Sequence, residues 1–415
     1  MKLLLVGGTG VLSTAITQEA LKKNIEVYMI NRGHRMDLIP RTVRLLKANI
    51  RDKKRIHSLL DGLYFDAIID FICYTERDVE YSFNLFKNCS DQYVFISSCA
   101  VYSGEDGGVC TEDSPKVIPI WEYSVNKNKC EELLMKLSNT SKANYTIVRP
   151  AVTYGDTRIP YGITPPYGYH WTIVERILNK KPIITWNNGK NGSNMLHADD
   201  FAVGLVGLLG NRQAYNEAFN IAGDEAPSWE DVLHILSDIL GVEVKTFDIP
   251  NNYYAREIPS REGEILGGRS GNGTISSQKI KAVVKNFQQT ITLKDGITRT
   301  LNYYKNHNYI YGIDYAFDAD TDRIIAKYAK ENHILTKDLN LRFIDYRKTG
   351  KKKDQVDYFI YKQKDFFAIK SYLFIKQLIR RIIRKAMRLL TPGGRAAGRR
   401  GHGRGGERKE EEWYV

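Results

Sequence analysis

The sequence predicts an α/β chain: a doubly wound parallel Rossmann-type sheet, a smaller mixed α/β lobe and a helical C-terminal extension. Three observations predict it. Short β-branched and aromatic runs alternate with helical stretches through the first 150 residues. The first run, Leu3–Val6, leads directly into Gly7-Gly8-Thr9-Gly10. A later run, Tyr93-Val94-Phe95-Ile96, ends in Ser97-Ser98, with Tyr123 and Lys127 following in one helical stretch. Strand–helix alternation at this spacing predicts a parallel, doubly wound sheet covered on both faces.

In order, Leu3–Val6, Glu26–Ile30, Val43–Leu46, Ala67–Phe71, Tyr93–Ile96 and Tyr145–Val148 read as strands. Ser13–Asn24, Asp52–Leu60, Asp78–Asn88 and Val125–Leu137 carry helical periodicity between them. Beyond residue 156 the pattern mixes. Trp171–Asn179, Asp199–Leu209 and Ser228–Leu240 read as helices, the last capped by Ser228 with Glu230 and Asp231 in its first turn. The expected division is 1–156 for the dinucleotide-binding domain and 157–310 for a substrate lobe. Residues 311–390 form an extension, and 391–415 a low-complexity tail rich in Gly and Arg, which builds no core.

Composition narrows the function classes. Of a net charge of +13, residues 351–415 supply +11, from 18 Lys and Arg against 7 Asp and Glu. The body is near neutral, so a general nucleic-acid footprint is not expected. Five cysteines without C-x-x-C spacing suit reduced thiols and a cytoplasmic protein. The apolar run after Lys2 is too short for a secretion signal, and no run of about 18 apolar residues exists to span a bilayer.

Gly7 and Gly10 sit where a tight turn hands a strand to a helix. Such a turn lets pyrophosphate approach backbone N–H groups at a positively polarised helix end. The second strand ends in Asn31-Arg32-Gly33-His34-Arg35, with no acid for the ribose hydroxyls and two arginines close by. That favours NADP over NAD. At the reaction centre, a phenol with a pKa near 10 is a poor base at neutral pH. A lysine four residues on, on the same helix face, stabilises the phenolate.

Taken in order, G-G-T-G at 7–10, S-S at 97–98 and Y-x-x-x-K at 123–127 resemble the extended short-chain dehydrogenase/reductase family, the NAD-dependent epimerases and dehydratases of nucleotide sugars. The resemblance runs over roughly residues 1–310. It implies Tyr123 as acid/base, Lys127 as its activator and as a ribose contact, and Ser98 as hydrogen-bond partner of the reacting oxygen. It implies a dinucleotide held by Gly7, Thr9, Gly10, Val11, Leu12, Asn31, Arg32, Asn49, Ile50, Cys73, Tyr123, Lys127, Pro150 and Val152, with no metal. Ser13 replaces the third glycine of the family's G-x-x-G-x-x-G, a change expected to cost slight displacement. Arg149-Pro150 through Tyr154-Gly155 resembles the family's run beside the nicotinamide. His197 resembles its H-V-x-D histidine, equally readable as a helix-start residue without chemistry. Ser193 stands where the family usually has a phosphate-binding arginine, and Arg261 or Arg269 are candidates to replace it.

The family's 4,6-dehydratases carry Asp-Glu after the catalytic Ser/Thr. Cys99-Ala100 stands there instead, which disfavours dehydration and leaves 4-epimerase and ketoreductase open. The expected substrate is a nucleotide-activated or other sugar, and a homodimer is expected. The competing class is a non-catalytic binding protein, RNA-binding or regulatory. Some relatives with this body have turned to RNA, and the Asn31-Arg32-Gly33 loop resembles theirs. Residues 366–390 carry apolar side chains on one helical face and cations with no acid on the other. That pattern reads as peripheral contact with the inner membrane face or as a packing helix.

Overall fold

The computed structural model describes residues 1–103, 108–116, 120–309, 312–343 and 352–390, giving backbone alone for 352–354, 377, 380–381 and 384–390. The expected tail at 391–415 lies outside the described residues.

Seven parallel strands make the central sheet: β1 (Lys2–Val6), β2 (Glu26–Asn31), β3 (Arg44–Lys47), β4 (Phe65–Asp70), β5 (Ser90–Ile96), β6 (Asn144–Pro150) and β7 (Glu217–Ile221). Their order is β7-β6-β5-β4-β1-β2-β3. Strand order reverses direction at β1, which pairs β2 on one side and β4 on the other. A crevice therefore opens at the carboxyl ends of β1 and β4, where doubly wound sheets bind ligands.

Alternate strand residues face opposite layers, as the pleat requires. Leu3, Leu5, Val27, Ile69 and Val94 pack beneath α1 (Val11–Lys22). On that same face lies the helix Ala198–Leu208. Leu4, Val6, Ile68, Tyr93 and Phe95 pack on the other face, beneath the helices Lys53–Leu60 and Glu76–Phe86 and the long helix α2 (Glu122–Ser138). Strands buried on both faces explain why these runs are continuously apolar.

Two expected boundaries move. The sheet's edge strand β7 and the helix Ala198–Leu208 belong to the Rossmann layers, although both lie beyond residue 156. The chain crosses into the lobe and returns. Residue 310 is not a packing boundary either. The helix Tyr315–Glu331 enters the lobe core with Ile324 and Ile325 beside Trp171, Trp186 and Trp229. It also carries Asp318 and Asp322 into a fully buried ion cluster. Arg176 pairs with Asp318 and, at 3.0 Å, with Asp322; Lys181 pairs with them at 2.7 and 2.8 Å. Charges this deep are tolerated only as a complete set, so this helix is part of the lobe. The capping box at Ser228 is present, closed by Asp231.

Candidate active site

The glycine turn has the backbone its sequence demands. Gly7 and Gly8 have φ of +111° and +99°, where side chains are strained. A Cβ on Gly8 would also overlap Met29. Gly10 caps α1, and Ser13 does what a third glycine would not. Its buried hydroxyl accepts the Gly10 N–H at 2.9 Å and donates back to the Gly10 carbonyl at 3.3 Å. The serine thus takes part in the helix cap. A side-chain-free turn ending on a helix N-terminus fits a dinucleotide's pyrophosphate.

At the end of β2 the Asn31 side chain closes its own turn, accepting from Gly33 N at 2.7 Å. Arg32 is exposed, and Lys47 from β3 lies against Gly33. Positive charge thus gathers at Asn31–Arg35, which holds no carboxylate, and Asp37 follows in the next turn. Asn49 Oδ1 accepts from Arg51 N at 3.1 Å within its own turn, and the Ile50 carbonyl accepts from Tyr81 of the helix Glu76–Phe86 at 2.8 Å. Cys73 is turned away from the crevice. Its thiol donates to the buried Asp70 at 3.2 Å, and burial pushes its pKa well up. Only its carbonyl faces the reaction centre.

That carbonyl and the Ile96 carbonyl each accept from Lys127 Nζ at 2.8 Å. Lys127 is buried, with its ammonium 4.6 Å from the Tyr74 ring centroid, 5.0 Å from Phe95 and 5.9 Å from Tyr123. Burial lowers its pKa. The helix α2 begins at Glu122, three residues earlier than its periodicity indicates, and this brings Tyr123 onto the face that holds Lys127. Ser124 fixes the spacing by donating to the Ala100 carbonyl at 2.6 Å. Ala100 belongs to the short turn that Ser98 caps, Ser98 Oγ accepting Ala100 N at 3.1 Å.

Ser98 is hydrogen-bonded to the Tyr123 phenol. Ser97 points the opposite way, donating to Glu131 at 2.6 Å. Tyr123 sits partly exposed on the cleft wall, yet protein surrounds its hydroxyl, and burial pushes its pKa up to about 12 against the pull of Ser98, Arg158 and Arg269. The expected lowering by Lys127 is therefore not what the ligand-free site shows. Desolvation of the phenolate outweighs it, and the lysine is occupied by two carbonyls.

A cleft of about 610 Å³ opens over this centre. It brings together Val11, Leu12, Ser98, Tyr123, Pro150 and Val152 among the expected residues. Gly7, Thr9, Gly10, Asn31, Arg32, Asn49, Ile50, Cys73 and Lys127 are not on its wall. The cleft also holds Ser193, Arg158 and Arg269. Arg261 bonds Glu264 and the Thr164 carbonyl, and Glu264 also pairs with Arg269 at 3.6 Å. Arg269 is more than nine-tenths buried, and its Nε has no partner among the described residues. It is carried by a π-helical turn, Glu264–Arg269, pressed on Trp121, where a Cβ on Gly268 would overlap the indole ring.

The sequence reading missed a buried buttress below the centre. Glu131 takes Arg149 in a bidentate pair at 2.9 and 2.8 Å and Lys116 at 2.8 Å. Arg149 also donates to Tyr102 at 2.7 Å, and Tyr102 to Asn220 at 2.6 Å. Burial alone would raise the Glu131 pKa, but its bonds to Arg149 and Lys116 prevail and lower it. A signal existed: Tyr123, Lys127 and Glu131 repeat every fourth residue along one helical face. His197 caps its helix through Nδ1, accepting from Asp199 N at 3.2 Å, and its Nε2 is buried without a partner among the described residues.

The family model for the NAD-dependent epimerase/dehydratase family matches residues 3–222. The chain is 24% identical over 359 residues to the chloroplast stem-loop binding protein of 41 kDa b of Arabidopsis thaliana, covering 82% of this chain and 86% of the relative. It is 22% identical over 326 residues to a putative UDP-glucose 4-epimerase of Methanocaldococcus jannaschii, covering 74% and 99%. Among solved structures, the Bacillus cereus UDP-glucuronic acid 4-epimerase in complex with UDP-glucuronic acid and NAD superposes with a TM-score of 0.60. That pair is 20% identical over 74% of this chain and 99% of the epimerase.

Proposed function

The chain belongs to the NAD-dependent epimerase/dehydratase family, an enzyme family of the extended short-chain dehydrogenase type, and on that premise we propose that it epimerises or reduces the sugar of a nucleotide sugar. The observation that carries this is the Ser98–Tyr123 pair facing the cleft, with Lys127 one helical turn behind.

When bound, the dinucleotide supplies the hydride acceptor or donor; the glycine turn, Val11, Leu12, Pro150 and Val152 would hold it. Tyr123 moves the proton at the reacting hydroxyl or carbonyl, Ser98 orients that oxygen, and Lys127 biases the phenol towards giving up its proton. Arg269, buried and lining the cleft with an unsatisfied Nε, supports an anionic substrate such as a diphosphate ester. Cys99 and Ala100 supply no carboxylate beside Ser98, which argues for epimerisation or reduction over dehydration. Arg32, Arg35 and Lys47, with no acid from Asn31 to Arg35, favour NADP, and an exchangeable NADPH favours reductase. The protein works in the cytoplasm as a homodimer on this reading. Among the described residues no helix is long and apolar enough to cross a membrane.

A second reading rests on the chloroplast relative, named for stem-loop binding, together with the Asn31-Arg32-Gly33 loop. On it the fold binds RNA and the cleft turns nothing over. Native mass spectrometry of the purified chain separates the two. We expect a dinucleotide or sugar nucleotide to travel with the protein. A chain that carries neither, takes up neither when supplied, and instead retains a stem-loop RNA overturns the enzyme reading.

A further inference from the structure

The C-terminal helix Phe367–Leu390 ends the described chain. Its 24 residues span about 36 Å. The strand runs of the central sheet are buried, but here an apolar stripe is open: Phe367 is 86% exposed, Phe374 67% and Ile382 59%, with Ile375, Leu378 and Ile379 beside them. The side turned to the protein is a different one, where Ile369 and Leu373 are half-buried and Lys376 reaches Asp357 at 3.8 Å. The helix is tied down at its base. Asp365 pairs with Arg323 at 2.7 Å and Lys364 with Asp320 at 2.5 Å, so the stripe is presented from a fixed mount on the lobe.

Two kinds of surface cover an apolar stripe of this size: another apolar protein face or the hydrocarbon edge of a bilayer. Charge decides between them. From 366 to 390 the sequence holds seven Lys and Arg and no Asp or Glu. Of these, Lys370 is exposed off the stripe and Lys376 is turned to Asp357. Two such helices brought together would place like charges side by side with no acid to offset them. An anionic lipid surface accepts both features at once, the stripe at the acyl boundary and the cations among the headgroups. Lipid leaves the mount at 364–365 and the cleft undisturbed.

We infer that this helix binds the enzyme peripherally to anionic membranes, lying in the plane of the interface. The inference is independent of the reaction proposed above, and its readout is vesicle binding and not turnover.

The test is sedimentation of the full chain with phosphatidylcholine vesicles, with and without phosphatidylglycerol. Binding is expected only with phosphatidylglycerol, and it weakens as salt rises because the attraction is screened. Each cation near the surface multiplies partitioning about fivefold, so Lys370→Glu with Arg380→Glu lowers it at least about 25-fold. Ile379→Ser with Ile382→Ser lowers it about tenfold or more while the protein still folds, since both side chains are already in water. Equal binding to neutral vesicles, no binding at all, or full binding by both variants overturns the inference. So does a parent dimer that ignores vesicles and becomes monomeric in the isoleucine variant, which would assign the stripe to a second copy.

Discussion

Replacing Tyr123 by Phe removes one oxygen from the centre of the cleft and tests two things at once. The protein environment pushes the phenol's pKa up to about 12, so at pH 8 roughly one molecule in 10⁴ carries a phenolate. The Lys127 ammonium lies 5.9 Å from the ring. That ammonium is already part of the environment that raises the phenol, and it is occupied by the Cys73 and Ile96 carbonyls. The phenol is therefore protonated at neutral pH. As an acid it is always ready; as a base it is scarce. Reduction of a sugar ketone should therefore be flat from pH 6 to 9, while oxidation of the alcohol rises about tenfold per pH unit from 7 to 9 without a plateau. Phe at this position should cost about 10²–10⁴ in both directions and abolish the slope, leaving dinucleotide affinity within about twofold. Stopped-flow absorbance of the nicotinamide, with calorimetry for affinity, measures all three. Wild-type turnover in the variant removes Tyr123 from the chemistry. An oxidative plateau already at pH 7 would refute the electrostatic argument, because some positive charge would then outweigh burial.

Two further outcomes follow from neighbouring parts of the molecule. If Arg32 meets a 2′-phosphate, NADPH binds more tightly than NADH by calorimetry and Arg32→Ala erases the difference; equal affinities in the parent would sink the preference. Asp318→Asn leaves Arg176 and Lys181 fully buried with half their counter-charge. It should destabilise the chain by about 3–5 kcal/mol in urea unfolding, and a loss below about 1 kcal/mol would mean the cluster is open to water.

Some of the protein is determined by sequence alone, because the determinants are local. Apolar runs of strand length, glycine at a turn needing positive φ, and Ser228 with Asp231 at a helix start each act within a few residues. The order of glycine turn, serine-ended strand and Tyr-Lys pair placed the chain in its family for the same reason. Ser98 is preferred over Ser97 through the resemblance, which places the serine three residues before Val101-Tyr102; in the fold Ser98 meets Tyr123 while Ser97 turns to Glu131.

What the tertiary structure decided depends on groups far apart in the chain. Glu131 became the hub of a buried network only because Arg149 and Lys116 converge on it from other elements. Arg269 and not Arg261 lines the cleft, carried by a π-helical turn whose Gly268 packs on Trp121. The chain's return to the sheet through β7, and the union of Tyr315–Glu331 with the lobe, are set by burial. A boundary drawn along the sequence cannot see the partner that Asp318 finds 142 residues away in Arg176. The phenol's high pKa has the same origin. Spacing placed a lysine beside Tyr123, but the three-dimensional enclosure of its hydroxyl sets how costly a phenolate is there.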